Sequence, residues 1–187
     1  MMFFKLRLKR HIFPLPVIET ERLIFRPMTM DDLNDLYDLA SLSKTVEHLP
    51  WGPHLNLFET KCFLESVVEK MKRFRYFEWG IELKEEKKLI GTIGYTEFEN
   101  GGAEMGYVLS PKYQKNGYMT EAMDFFVRYS FEVLRLKHIK LRIMEKNTPS
   151  RRLAERFGFK LTDTKRNYMF IRGESRDVCF YYLYNKI

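Results

Sequence analysis

Residues Ala103–Ala122 read AEMGYVLSPKYQKNGYMTEA, an apolar β-forming run, a proline stop, a polar loop with one glycine, and the opening of a long amphipathic helix. The helical pattern spans Gly117 to Leu136. Ala122, Phe125, Phe126, Tyr129, Val133 and Leu136 fall on one face, while Glu121, Asp124, Arg128, Glu132 and Arg135 fall on the other. A helix that starts directly after a strand and short loop exposes its first-turn N–H groups and the positive end of its dipole, which suits an anion. Successive N–H groups from Lys115 to Thr120, the Thr120 hydroxyl and the Lys115 ammonium are the right kind of donors for a phosphate or pyrophosphate. Gly117 would let the backbone approach closely. Spacing alone is equally compatible with an ordinary strand-to-helix turn containing a glycine.

Working outward, Tyr76–Leu83, Lys88–Glu97 and Ala103–Leu109 are β-like runs separated by turns at Lys84–Lys87 and at Asn100, Gly101 and Gly102. Asn-Gly between such runs is a strong hairpin signal, so the three strands form an antiparallel meander. Upstream, Phe58–Arg75 reads as an amphipathic helix through Phe63, Leu64, Val67, Val68 and Met71, and Leu49–Leu57 (LPWGPHLNL) as a loop. An earlier helix is capped by Thr29 and carries Asp31 and Asp32 in its first turn. Arg22–Arg26 (RLIFR) is a short strand. Downstream lie a strand at His138–Met144, a helix at Thr148–Arg156, and strands at Phe159–Thr164 and Val178–Tyr184. Helix crossovers between strands predict a single α/β (α+β) domain. Its sheet is mixed, mostly antiparallel, of about seven strands, flanked by helices.

Composition excludes several classes. The chain has 187 residues, 45% of them apolar and 16% aromatic, which suits one folded domain and not a disordered segment. Two cysteines, Cys62 and Cys179, exclude a disulfide framework and point to a reducing, cytoplasmic compartment. Both read as core thiols and not as nucleophiles. No run of 18 uncharged apolar residues occurs, so no membrane-spanning helix is expected. The net charge of +7 is uneven, because residues 1–16 hold Lys5, Arg7, Lys9 and Arg10 and no acid. This basic arm, alternating apolar and charged residues, reads as an edge strand or an extended arm suited to a weak RNA or ribosome contact; residues 17–187 form the domain. The chain lacks the P-loop, dinucleotide, nucleophile-elbow and zinc-protease motifs. His11, His48, His54 and His138 are scattered, and no metal is expected.

Gln114-Lys115-Asn116-Gly117-Tyr118-Met119 resembles the Q/R-x-x-G-x-G/A acetyl-coenzyme A signature of the GCN5-related N-acetyltransferases (GNAT). The following Gly-Tyr-x-Thr-Glu-Ala is similar to their ribosomal-protein, RimJ/RimL-like branch. IETERLIFRPMTMDDLNDL resembles that branch's first strand and helix, and AEMGYVLSP its fourth strand. Asn147-Thr148-Pro149-Ser150 and Arg156-Phe157-Gly158-Phe159 resemble its N-x-x-S and G-F elements. The four stand in order from Val17 to the C-terminus.

The resemblance implies a slot between two splayed strands for the pantetheine arm of acetyl-coenzyme A. Val108 and Leu109 would pair with pantetheine amides, the loop from Gln114 through Lys115, Asn116, Gly117, Tyr118, Met119 and Thr120 would hold the pyrophosphate, and Asn147 and Ser150 would face the reactive end. Two departures stand out: Met119 replaces a small residue, and Ala154 occupies the position of the superfamily's tyrosine acid. Ser150 is therefore the expected proton donor to the thiolate, although it is also placed to cap its helix. Glu104 is the expected proton acceptor, with Glu78 and Glu82 in reserve, and the Val108 N–H the expected oxyanion donor. Trp51, Tyr168 and the segment Lys165–Asp177 are expected to flank the acceptor. The expected acceptor is a protein or peptide α-amine, with a polyamine, amino acid or aminoglycoside still open, and the molecule a monomer or homodimer. The rival reading is a non-catalytic acyl-coenzyme A sensor or RNA-docking module on the same fold.

Overall fold

The computed structural model describes residues 14–72 and 77–186. The basic arm up to residue 13, the predicted end of the second helix at residues 73–75 and the predicted strand start at residue 76 lie outside the described residues.

Thr29 starts the first helical segment as expected. Its side chain accepts from Asp31 N–H and Asp32 reaches back to the Thr29 N–H, a capping box that leads through a short turn into α1 (Leu33–Ala40). A single turn, α2 (Ser43–Val46), precedes the loop to α3 (Leu57–Lys72). The strands are β1 (Ile18–Glu19), β2 (Leu23–Pro27), β3 (Phe77–Leu83), β4 (Lys88–Glu99), β5 (Gly102–Leu109), β6 (His138–Met144), β7 (Lys160–Ile171) and β8 (Glu174–Tyr184). Two more helices, α4 (Tyr118–Arg128) and α5 (Thr148–Arg156), flank β6 in sequence. The sheet runs β1-β2-β3-β4-β5-β6-β8-β7, antiparallel throughout except for β5 beside β6. The α/β architecture follows the sequence reading, with β1 as the additional eighth strand.

Period-2 alternation sorts the side chains onto two faces. Phe25, Trp79 and Tyr95 pack against Phe126 of α4, with ring centroids 5.2, 5.1 and 6.2 Å away. The opposite face lies under α1 and α3. There Arg26 makes a bidentate pair with Asp32 (2.7 and 2.9 Å) and also binds Glu82, tying the start of α1 to β2 and β3. Glu82 thus serves the scaffold.

Three expectations are corrected. The helix after Gly117 is regular only to Arg128; at Tyr129–Val133 it widens, and Leu134 N–H donates to Tyr129 O, five residues back. Ser130 Oγ there donates to Phe126 O and shares a 2.6 Å hydrogen bond with the buried Tyr95 hydroxyl, so a side-chain network takes over from the helix ladder. The segment Lys165–Asp177 is mostly strand: β7 and β8 extend to a tight turn at Arg172 and Gly173, whose φ values of +50° and +79° suit a hairpin turn. Cys179 is buried, but Cys62 is exposed, because α3 buries Thr60, Leu64, Val67 and Met71 and position 62 lies off that stripe.

Two outcomes follow for the native protein. A thiol reagent should label one cysteine among the described residues, Cys62, and reach Cys179 only on denaturation. Gly94→Ala should cost about 1–3 kcal/mol in denaturant unfolding, because an added Cβ would lie 2.1 Å from Phe77 O.

Candidate active site

β5 is paired along its whole length with β4 but with β6 only at Ala103↔Ile139 and Glu104↔Lys140. Past Glu104 the two strands diverge, and the backbone of β5 from Met105 to Leu109 has no strand neighbour on that side. The expected splay is therefore present. It opens into a cavity of about 310 Å³ lined by β5, by Leu141–Met144 of β6 and by the start of α5.

On the α1 side the cavity floor is nearly bare, since Gly94 of β4 pairs with Gly106 of β5. An added Cβ on Gly106 would meet nothing within 4 Å. Glu104 sits beside this strip, 7% exposed. Its Oε1 accepts from Arg142 Nε at 2.6 Å and, weakly, from Thr96 at 3.5 Å. Its Oε2 is ion-paired to the Lys140 ammonium at 2.8 Å at the edge of the cavity. Burial opposes the charge on Lys140, yet Glu104 and Glu97 outweigh it and hold the ammonium above the usual lysine range. Glu78 also lines the cavity; Glu82 does not.

On the α5 side stand Asn147, Ser150 and Tyr107. Asn147, not Ser150, caps α5: its Oδ1 accepts from Ser150 N–H at 3.2 Å. The Ser150 hydroxyl thus has no cap role and lies against the Tyr107 hydroxyl. The Tyr107 hydroxyl donates to Ser150 O at 3.4 Å, and burial pushes that phenol up to about 12. Tyr107 was missed in the sequence, where it reads only as one aromatic of an alternating strand.

Gln114 to Thr120 form a separate corner at the start of α4. Lys115 and Gly117 both have positive φ, +67° and +82°, so the loop turns sharply into the helix. Gly117 is the N-cap and no side chain caps the helix, leaving the N–H groups of the first turn without an intrahelical acceptor. Met119 does not crowd this corner, because its side chain is buried with Ala122, Met123 and Phe126. Gln114 Nε2 donates to Leu109 O at 3.3 Å and Asn116 Nδ2 to Tyr113 O at 3.4 Å, tying loop to strand. A second group escaped the sequence reading. Arg22, from the β1–β2 connection, donates to Asn116 O (2.9 Å) and to Glu121 (2.7 Å), and lies 4.7 Å above the Tyr118 ring. Thr20 Oγ1 also donates to Glu121 at 2.6 Å. Burial works against the Glu121 charge, but these donors hold its carboxyl below the usual range. No local pattern could reveal a brace between residues 99 positions apart.

Among the expected acceptor-side residues, Trp51 lines the cavity, its ring 5.6 Å from Phe63 and 5.2 Å from His54. Tyr168 stands against Arg142 and edge-on to Phe180 at 5.2 Å, while Met169 of the same strand reaches the cavity wall. Arg172 at the β7–β8 turn donates to the carbonyls of Val46 and Glu47 at 3.1 and 3.0 Å, fastening the ribbon to the loop before Trp51. Among the described residues no group of three or more His, Cys, Asp or Glu side chains could hold a metal ion.

Comparison with known proteins agrees with this geometry. The chain is 29% identical over 168 residues to the uncharacterized N-acetyltransferase YoaA of Bacillus subtilis, covering 89% of this chain and 95% of that one. It is 27% identical over 172 residues to the [ribosomal protein uS5]-alanine N-acetyltransferase of Escherichia coli, covering 86% of each. Its fold superimposes with a TM-score of 0.77, at 19% identity and over 90% and 98% of the two chains, on RimL, a ribosomal L7/L12 α-N-protein acetyltransferase solved with coenzyme A. The sequence profile of the Acetyltransferase (GNAT) domain matches residues 22–160, and the protein accordingly belongs to the GNAT acetyltransferase family.

Proposed function

We propose that the protein transfers an acetyl group from acetyl-coenzyme A to the α-amine of a protein or peptide, by direct attack with both substrates bound. The observation that carries this reading is the opening between β5 and β6, which joins a buried carboxylate on one side of the sheet to a helix start on the other. The residues present fit the coenzyme. Gly117 without a Cβ and the uncapped first turn of α4 form a cradle for its pyrophosphate, with Lys115 and Thr120 beside it. Along the open edge of β5 the backbone groups of Tyr107 and Leu109 face the pantetheine amides, while those of Val108 point to β4. The coenzyme supplies an activated thioester, and the protein supplies position, proton transfer and shelter from water.

An amine must lose its proton before it can attack. A lysine side chain near pKa 10.4 is about 2.6 units harder to neutralise than an α-amine near 7.8, a difference of about 3.5 kcal/mol. Glu104 is the buried carboxylate that lines the cavity beside the fork, and it takes the amine proton directly or through a water. Arg142 and Lys140 fix the carboxylate in place. On the far side the Ser150 hydroxyl, relieved of capping by Asn147, donates toward the departing sulfur; Asn147 Nδ2 is its neighbour in that task. The Val108 N–H, expected as the oxyanion donor, is turned toward β4, because Ser110 N–H two residues on donates to Ile90 O; the outward N–H groups of its neighbours Tyr107 and Leu109 are the donors toward developing negative charge on the acyl oxygen. The E. coli relative, named for acting on an alanine of ribosomal protein uS5, supports a peptide α-amine.

Ligand stabilisation, substitution and pH dependence test this reading. Acetyl-coenzyme A at 100 times its Kd should stabilise the folded protein by about 2.7 kcal/mol. Gly117→Val, which puts a β-branched side chain at φ +82° and 3.3 Å from Arg22 Nη2, should abolish the shift between Tm with and without ligand. In a thiol-release assay over an amine panel, Glu104→Gln should lower kcat by about 100-fold or more while that shift persists. Glu78→Gln in the same assay checks the assignment, and an effect on Glu78 alone would move the role there. Ser150→Ala should slow kcat at least tenfold with Tm unchanged. For a peptide acceptor kcat/KM should rise with pH and level off near about 8, whereas a lysine side chain would keep rising toward about 10.

A further inference from the structure

The acceptor side of the cavity is walled by carbon. Met28, Leu36 and Leu39 come from β2's exit and from α1, Trp51 and Phe63 from the loop and α3, and Met169 from β7. The wall is built in advance of any substrate. The rings of Trp51, Phe63 and His54 form a triangle with centroids 5.2, 5.3 and 5.6 Å apart, and His54 is fixed by Thr60 Oγ1 at 2.9 Å and by its own N–H to Ala40 O at 3.1 Å. Arg172 locks the preceding loop from the other side.

The charges that reach this space nearly cancel. Glu78 and Glu104 are its carboxylates; Arg142 lines it, and Lys140 abuts Glu104 from beside it. His48 also lines it, and burial, with Arg172 and Arg176 nearby and Glu47 opposing, holds that imidazole below its usual range and therefore uncharged near neutral pH. One ammonium-derived nitrogen can be met at Glu104. Away from Glu78, a second charge on the acceptor, cationic or anionic, would stand against the carbon of Trp51, Leu39 and Phe63.

From this arrangement we infer that the acceptor is selected by an apolar side chain on the carbon that bears the amine, seated between Trp51, Phe63 and Leu39. The preferred substrates are then peptides whose first residue is large and apolar, ahead of those starting with glycine or aspartate and ahead of polyamines. The inference rests on the acetyl-transfer reading and narrows its substrate class. A hydrophobic slot distinguishes ligands by tens-fold and not by thousands, so the preference is graded.

The test uses the full chain and five acceptors: peptides identical except for a first residue of Leu, Phe, Gly or Asp, and spermidine. Two readouts are taken, kcat/KM from thiol release and Kd by calorimetry with coenzyme A present. The Leu and Phe peptides should exceed the Gly and Asp peptides and spermidine by at least tenfold in both. Trp51→Ala should collapse the Leu-to-Gly ratio to threefold or less, and Trp51→Phe should largely keep it. A Gly or Asp peptide, or spermidine, equalling the Leu peptide while acetyl-coenzyme A still raises Tm overturns this inference alone. Loss of the coenzyme-dependent Tm rise in the unaltered protein overturns the transferase reading and this inference with it.

Discussion

A β-strand inside a sheet ordinarily satisfies its polar backbone on both sides, and β5 does so on only one. Two residue pairs to β6 are all that hold it on the other. In the half-buried stretch from Gly106 to Leu109 alternate residues therefore turn their backbone groups to an open side, where an extended, amide-bearing guest would fit. The helix starts of α4 and α5, the cavity and the glycine strip are arranged around that one interruption. Had β5 and β6 zipped up for another two pairs, the sheet would have been more regular and the cavity would not exist.

The opening persists because both strands are anchored away from it. β5 is fully paired to β4, and β6 is fully paired to β8, whose Tyr181 in turn meets Arg151 and Glu155 of α5. The ion cluster of Glu104 with Lys140 and Arg142 sits at the fork itself, stapling the last paired residues. Breaking a partly buried cluster by removing one member leaves an uncompensated charge, so these groups hold the fork as well as furnishing the site. The Arg22–Glu121 brace plays the matching part at the loop that carries Gly117, where two segments distant in sequence are drawn together.

Much of this was legible before any coordinates. The meander could be read because Asn100-Gly101 punctuates it, and those residues adopt the positive φ values, +52° and +82°, that make Asn-Gly a hairpin signal. The strand–loop–helix at 103–122 could be read because its period changes across a single glycine. The cavity side of Glu104 and Ser150 followed from the resemblance of four motifs. Other features had no local trace. The β7–β8 ribbon continues through KRNYMFIRGESRD, where β7 is exposed on both faces and shows no alternation of apolar and polar residues. The wide turn at Tyr129 depends on a hydroxyl pair with Tyr95, from a different element. Cys62 was misplaced by the phase of one helix. Arg22 and Tyr107 gain their roles only from partners distant in sequence.

The paired glycines of the floor, Gly94 and Gly106, imply a division between parts of the molecule that can be altered and parts that cannot. The strip where the acyl group would lie is main chain alone, and it is built from backbone spacing that a methyl group at Gly94 already violates. What surrounds it is contributed by side chains of helices, a loop and a ribbon. Re-engineering the protein toward a new amine is therefore a matter of repainting the sides and leaving the ground untouched.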